Sequence, residues 1–145
     1  MKKEYITSSV LETQKLAKQL AKEMFKKQKG QKAQVLGLEG DLGGGKTTFL
    51  QGFAKGLGIK KKILSPTFVI LKKFKVKHKI FYHIDCYRIK KPKEMLDLGF
   101  KQIISNPKNI VAVEWSNRIK KIMPKNTILI NFEFINKNKR KIIIK

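Results

Sequence analysis

One cysteine, Cys86, is all that the sequence holds. No intrachain disulfide can form, and the thiol sits in an apolar run where a small buried side chain is ordinary, so it is given no catalytic role. No apolar run approaches the roughly 18 residues that a membrane span requires. The opening MKKEYITSSV has two lysines but no apolar stretch behind them, so a secretory leader is not expected and a cytoplasmic home is. Guanine recognition usually relies on an N-K-x-D segment; NKNK near the end lacks the aspartate, which argues against a GTPase switch. Acids are scarce as well: ten Asp and Glu stand against 34 Lys and Arg, for a net charge of +24. Such an excess attracts polyanions. Lysine, isoleucine and asparagine abound throughout, however, and lysines far outnumber the arginines favoured for bidentate phosphate recognition, so a biased composition is preferred to a dedicated nucleic-acid surface as the source of the charge.

At 145 residues the chain is expected to form a single domain around one core, 1–145. EYIT reads as a short strand. Ser9 and Glu12 then have the spacing of a capping box that opens a helix, whose Leu16, Leu20 and Met24 recur at helical period and which is expected to end near Gly30. AQVLGLEG reads as a buried strand, TTFLQGFAKGLG as a helix stopped by glycines, and PTFVIL as another strand. KKFKVKHK alternates, placing Lys73, Lys75, Lys77 and Lys79 on one face of an exposed basic strand. KIFYHIDCYRI and NIVAVEW are further strand candidates, with PKEMLDLGF as a short helix between them. NTILINFEF and RKIIIK suggest a terminal hairpin. The fold expected is α/β, a three-layer arrangement of the P-loop NTPase kind with a central, mostly parallel sheet and a C-terminal β-hairpin.

The chemistry concentrates in GDLGGGKTT. Gly40, Gly45, Lys46 and Thr47 satisfy G-x-x-x-x-G-K-[ST] between a strand and a helix. Glycines let successive backbone N–H groups face the phosphates, and the helix N-terminus adds its positive dipole end. Lys46 would neutralise the β and γ phosphates, and Thr47 would offer a hydroxyl to Mg²⁺. Such a site needs a carboxylate at the end of a neighbouring strand, and Asp85 after IFYHI and Glu114 after IVAV both qualify. Thr67, in the turn SPTF, is a candidate sensor of the metal or the γ phosphate. His83, inside an apolar strand, reads as a packing residue, and Trp115 as buried or stacked.

Taken in order, GDLGGGKTT, SPTF, HIDCYR, LGF and VEW resemble the TsaE family, the bacterial ATPases of tRNA threonylcarbamoyladenosine biosynthesis. The resemblance runs from about Thr13 to the terminal hairpin. It implies ATP and Mg²⁺ as cofactors, the TsaB and TsaD proteins as partners, and tRNA, modified at adenosine 37, reached through that complex. On this resemblance Gly40, Asp41, Leu42, Gly43, Gly44, Gly45 and Lys46 match the phosphate-binding loop. Thr47 matches the magnesium-ligating hydroxyl, and Thr48 follows it in the nucleotide site. Glu114 matches a magnesium-site acid and Asp85 a second acid required for the active site. Thr13 resembles a threonine near the base, and Thr67 one of a mobile loop. Ser116 stands where the family often has proline. A small-molecule P-loop kinase is the alternative reading, and a plain nucleic-acid-binding module would leave the phosphate loop and the two acids unexplained.

Overall fold

The structure, a computed structural model, describes residues 2–27, 30–40, 45–61, 63 and 70–145. Among them the chain forms a mixed α/β fold with seven strands, hydrogen-bonded in the order β1-β7-β6-β2-β5-β4-β3. Two compact units are distinguished: Met1–Gln28, Glu39–Ser65 and Leu129–Lys145 form one, Lys29–Leu38 and Pro66–Ile128 the other.

In the first unit, strand β1 (Lys3–Thr7) leads to helix α1 (Val10–Lys26). Ser9 caps α1 by accepting the Glu12 N–H at 3.1 Å. Glu12 reaches back one residue further than a reciprocal box requires, accepting the Ser8 N–H at 3.1 Å. The helix stops at Lys26, earlier than Gly30, with Lys27 already extended. Helix α2 (Lys46–Gly56) packs on α1 through its glycines. A Cβ on Gly52 would collide with the backbone of Gln14, and one on Gly56 would lie 2.7 Å from the Lys18 carbonyl oxygen. Strands β6 (Ile128–Phe134) and β7 (Arg140–Ile144) form the expected terminal hairpin, and β7 also pairs antiparallel with β1. Phe49 of α2 meets Phe132 of β6 edge-on, with centroids 5.4 Å apart.

The second unit holds β2 (Gln34–Gly40, up to Leu38), β3 (Leu71–Val76), β4 (Lys79–Asp85) and β5 (Asn109–Glu114). Strands β2 and β4 both run parallel to β5, and every residue of β5 is buried. The central strands β2, β5 and β4 are thus parallel, as expected; β3 is antiparallel to β4, and β1, β7 and β6 are antiparallel in series. Helices α3 (Pro92–Asp97) and α4 (Phe100–Ser105) join β4 to β5, with a left-handed Gly99 between them. A 3-10 helix, Ser116–Ile122, follows β5. Val35, Ile84, Met95, Phe100, Val111 and Val113 are among the residues that form this unit's core.

KKFKVKHK proves to be a hairpin and not one strand. Lys77 takes φ 53° and turns the chain with His78, so Lys79 opens β4 and is buried instead of sharing an exposed face with Lys73 and Lys75. The strand expected at PTFVIL falls largely on residues outside the described set.

Candidate functional site

The phosphate-loop half belongs to the first unit. Gly40 ends β2 with φ 134°, and a Cβ there would collide with the Phe132 carbonyl, so only glycine brings the chain this close to β6. Gly45 caps α2 in a left-handed conformation and supplies no side-chain acceptor to the first turn of the helix. The amides of that turn thus present the dipole end without a side-chain cap. Lys46, the first residue of α2, is buried and folds back, its Nζ donating to the Gly40 carbonyl at 2.7 Å. Thr47 and Thr48 follow in the same turn, half-buried. An anionic phosphate chain suits the described donors: one lysine and a helix start without a side-chain cap. Asp41, Leu42, Gly43 and Gly44 lie outside the described residues, as does Thr67.

Thr13 is in the first turn of α1, and its hydroxyl is 2.7 Å from that of Thr7, with both side chains buried. Each hydroxyl can donate once and accept twice, so this bond leaves Thr13 further capacity. Arg140 escaped sequence reasoning. Its Cγ is the atom nearest to a hypothetical Cβ on Gly45, at 3.7 Å, while its guanidinium lies 4.7 Å from the Phe134 ring centroid and donates to the Asn136 carbonyl at 2.7 Å. The only signal in the sequence is an arginine opening the last strand of a lysine-rich chain.

The acidic half belongs to the second unit. Asp85 and Glu114 end β4 and β5 and are partners in the parallel register. They therefore stand side by side at the carboxyl edge of the parallel strands, as the sequence anticipates. Glu114 is buried, and its Oε2 is 2.7 Å from His83 Nε2. Asp85 is half-buried, and its Oδ1 accepts the Tyr87 N–H at 2.9 Å, which tightens the turn leaving β4. Backbone bonds lock both strand ends: Cys86 N–H to the Glu114 carbonyl at 2.9 Å, and Trp115 N–H to the Leu38 carbonyl at 2.8 Å. Burial and the neighbouring Asp85 charge push the Cys86 thiol up to about 12, so it stays protonated and has no nucleophilic use at neutral pH.

Trp115 leaves β5 with φ 58°, an unusual conformation for a large side chain, directly after Glu114. It is half-buried against Tyr87, with centroids 5.0 Å apart, and Arg118 lies over both rings. His83, read from its sequence context as packing, is the second residue that sequence reasoning missed. Alternation put it in the core correctly, but its bond to Glu114 crosses 31 residues of sequence. Two hard oxygen donors on adjacent strand ends fit Mg²⁺, which takes one or two carboxylates and completes its shell with water and phosphate. Among the described residues no group of three or more His, Cys, Asp or Glu side chains is arranged to hold a metal by protein ligands alone. Nor is any described helix long and apolar enough to cross a membrane.

The family model described as threonylcarbamoyl adenosine biosynthesis protein TsaE matches residues 7–142. The tRNA threonylcarbamoyladenosine biosynthesis protein TsaE of Rickettsia felis is 38% identical over 130 residues, covering 89% of this chain and 71% of the relative. The protein of that name from Bacillus subtilis is 43% identical over 96 residues, covering 66% of this chain and 59% of the relative. Among solved structures, the crystal structure of Bacillus subtilis YdiB superposes with a TM-score of 0.79 at 30% identity, covering 99% of this chain and 84% of that one. With the family model matching residues 7–142 and relatives at 38% and 43% identity, the chain belongs to the TsaE family.

Proposed function

We propose that the chain is a magnesium-dependent ATPase that supports threonylcarbamoylation of adenosine 37 in tRNA, acting with TsaB and TsaD in the cytoplasm and built on a three-layer P-loop NTPase plan. The observation that carries the nucleotide part is the closure of Lys46 onto Gly40 at 2.7 Å, at the start of a helix that Gly45 leaves uncapped. A lysine held there by the carbonyl at the end of β2 is pre-placed for phosphate, and exchange of a neutral carbonyl for an anion is electrostatically favourable. In this reading, carried by the family resemblance, Gly40–Lys46 are assigned to the phosphates, and Thr47, Glu114 and Asp85 are each assigned to magnesium. Thr13, Thr48 and Thr67 are assigned to the nucleotide by the same resemblance. Bound magnesium would neutralise charge developing on the phosphate oxygens. The protein's own part is to fix donors and carboxylates before the reaction, when their reorganisation costs least. The role in tRNA modification is supported by family membership and by the names of the relatives.

The test is ATP hydrolysis by the wild type and Lys46→Ala, alone and with TsaB and TsaD, with magnesium and with chelator. Magnesium-dependent phosphate release that Lys46→Ala abolishes is the expected result. Transfer of the γ phosphate to an added small-molecule acceptor would instead establish the kinase reading.

A further inference from the structure

His83 and Glu114 stand on neighbouring parallel strands, and the register places Ala112 opposite His83 and Asp85 opposite Glu114. Side chains alternate along a strand, so His83, Asp85 and Glu114 share one face, and the bond from His83 runs diagonally across the ladder. The two side chains are 1% and 4% exposed, and Nε2 lies 2.7 Å from Oε2. The other ring nitrogen, Nδ1, is buried with no hydrogen-bond partner among the described residues. That asymmetry selects a tautomer. A proton on Nε2 donates to the carboxylate and leaves Nδ1 a bare acceptor, whereas the opposite tautomer would press a lone pair on Glu114 and strand a buried donor.

We infer that His83 is a positioning residue for Glu114: it engages Oε2 and fixes the carboxylate plane, so that Oε1 is presented for metal binding. Carboxylates that ligate metals are themselves commonly held by hydrogen bonds, and loss of such a partner typically weakens the metal about 10- to 100-fold. The inference rests on the proposal that Glu114 serves a nucleotide-bound magnesium ion. It also gives His83 a task that packing alone would not, because a leucine of similar volume fills the core but cannot orient an oxygen.

The experiment titrates Mn²⁺, followed by its electron paramagnetic resonance signal, into the ADP-bound full chain. Wild type, Glu114→Ala, His83→Leu and His83→Gln are compared. ADP affinity in chelator and melting temperature are measured alongside. His83→Leu is expected to weaken Mn²⁺ by about 10-fold or more with little change in metal-free ADP affinity. His83→Gln, whose amide can donate from near the Nε2 position, is expected to recover most of the loss. If His83→Leu fails to fold, His83→Asn replaces it, since its shorter amide cannot reach Oε2; Mn²⁺ affinity equal to that of His83→Gln would overturn the inference. Wild-type Mn²⁺ affinity in His83→Leu, or an equal fall in metal-free ADP affinity, would overturn it too. Wild-type Mn²⁺ affinity in Glu114→Ala would refute the metal assignment itself, and the inference with it, whereas a Glu114-dependent site indifferent to His83 refutes the inference alone.

Discussion

Lys46 and Glu114 are both buried charged side chains, and each has a short polar contact that fixes where it points. On the proposed function, removing Lys46 deletes a charge that would face phosphate, and with it the donor to the Gly40 carbonyl. Lys46→Ala is therefore expected to lower kcat/KM for ATP by about 100-fold or more. Glu114→Ala is expected to be similarly inactive, and wild-type turnover in either variant would remove that residue from the mechanism. Cys86 gives a pH test of burial. Its folded thiol ionises near 12 instead of 9.0, so its stabilising contribution is complete below 9.0 and is lost as pH rises toward about 12. Cys86→Ala should lose less stability across that window than the wild type in denaturant titrations, and an identical loss would contradict the burial account.

Helix α3 shows how one side chain serves a whole element. The Glu94 carboxylate accepts the backbone N–H groups of Lys91 and Lys90 at 2.8 and 2.7 Å, and those bonds hold its pKa below 4.5. The sign follows directly: the bonds stabilise the fold above the unfolded value and are lost as pH falls through the folded one. Glu94→Gln should thus lower the melting temperature at neutral pH and approach the wild type in acid; a deficit that persists unchanged in acid would contradict this cap. The α1 and α2 contact rests on Gly52, where no side chain fits against Gln14. Gly52→Ala is expected to cost about 1–3 kcal/mol by overpacking, measured by urea unfolding, and a neutral result would mean that the helices separate freely. Much at this scale was legible in the sequence. Ser9, the glycines around Lys46, and the apolar runs ending at Asp85 and Glu114 each announce a local rule. What was not legible depends on contacts without a local signature. Lys77 makes the β3–β4 turn with positive φ but no glycine to mark it. The diagonal from His83 to Glu114, and Arg140 beside Gly45, exist only once distant strands are placed.

For the whole molecule, the charge of +24 remains separate from the catalytic argument, since neither the phosphate loop nor the acid pair requires it. Lys73, Lys75 and Lys77 are exposed on the β3–β4 hairpin, and Lys79 no longer belongs to that face. If the hairpin meets tRNA or a partner, charge reversal at Lys73 and Lys75 should weaken association and flatten its salt dependence; unchanged association would leave an ordinary solvated face. Family membership places the chain among proteins of threonylcarbamoyladenosine biosynthesis, and the central claim is that its phosphate loop and Glu114 supply ATP turnover to that process. The most direct measurement is reconstitution with TsaB, TsaD and tRNA under magnesium and ATP, following modified adenosine and phosphate release together. Wild-type chain is expected to raise both, and Lys46→Ala and Glu114→Ala to raise neither. Full modification by either variant, or by the partners without this chain, would contradict it.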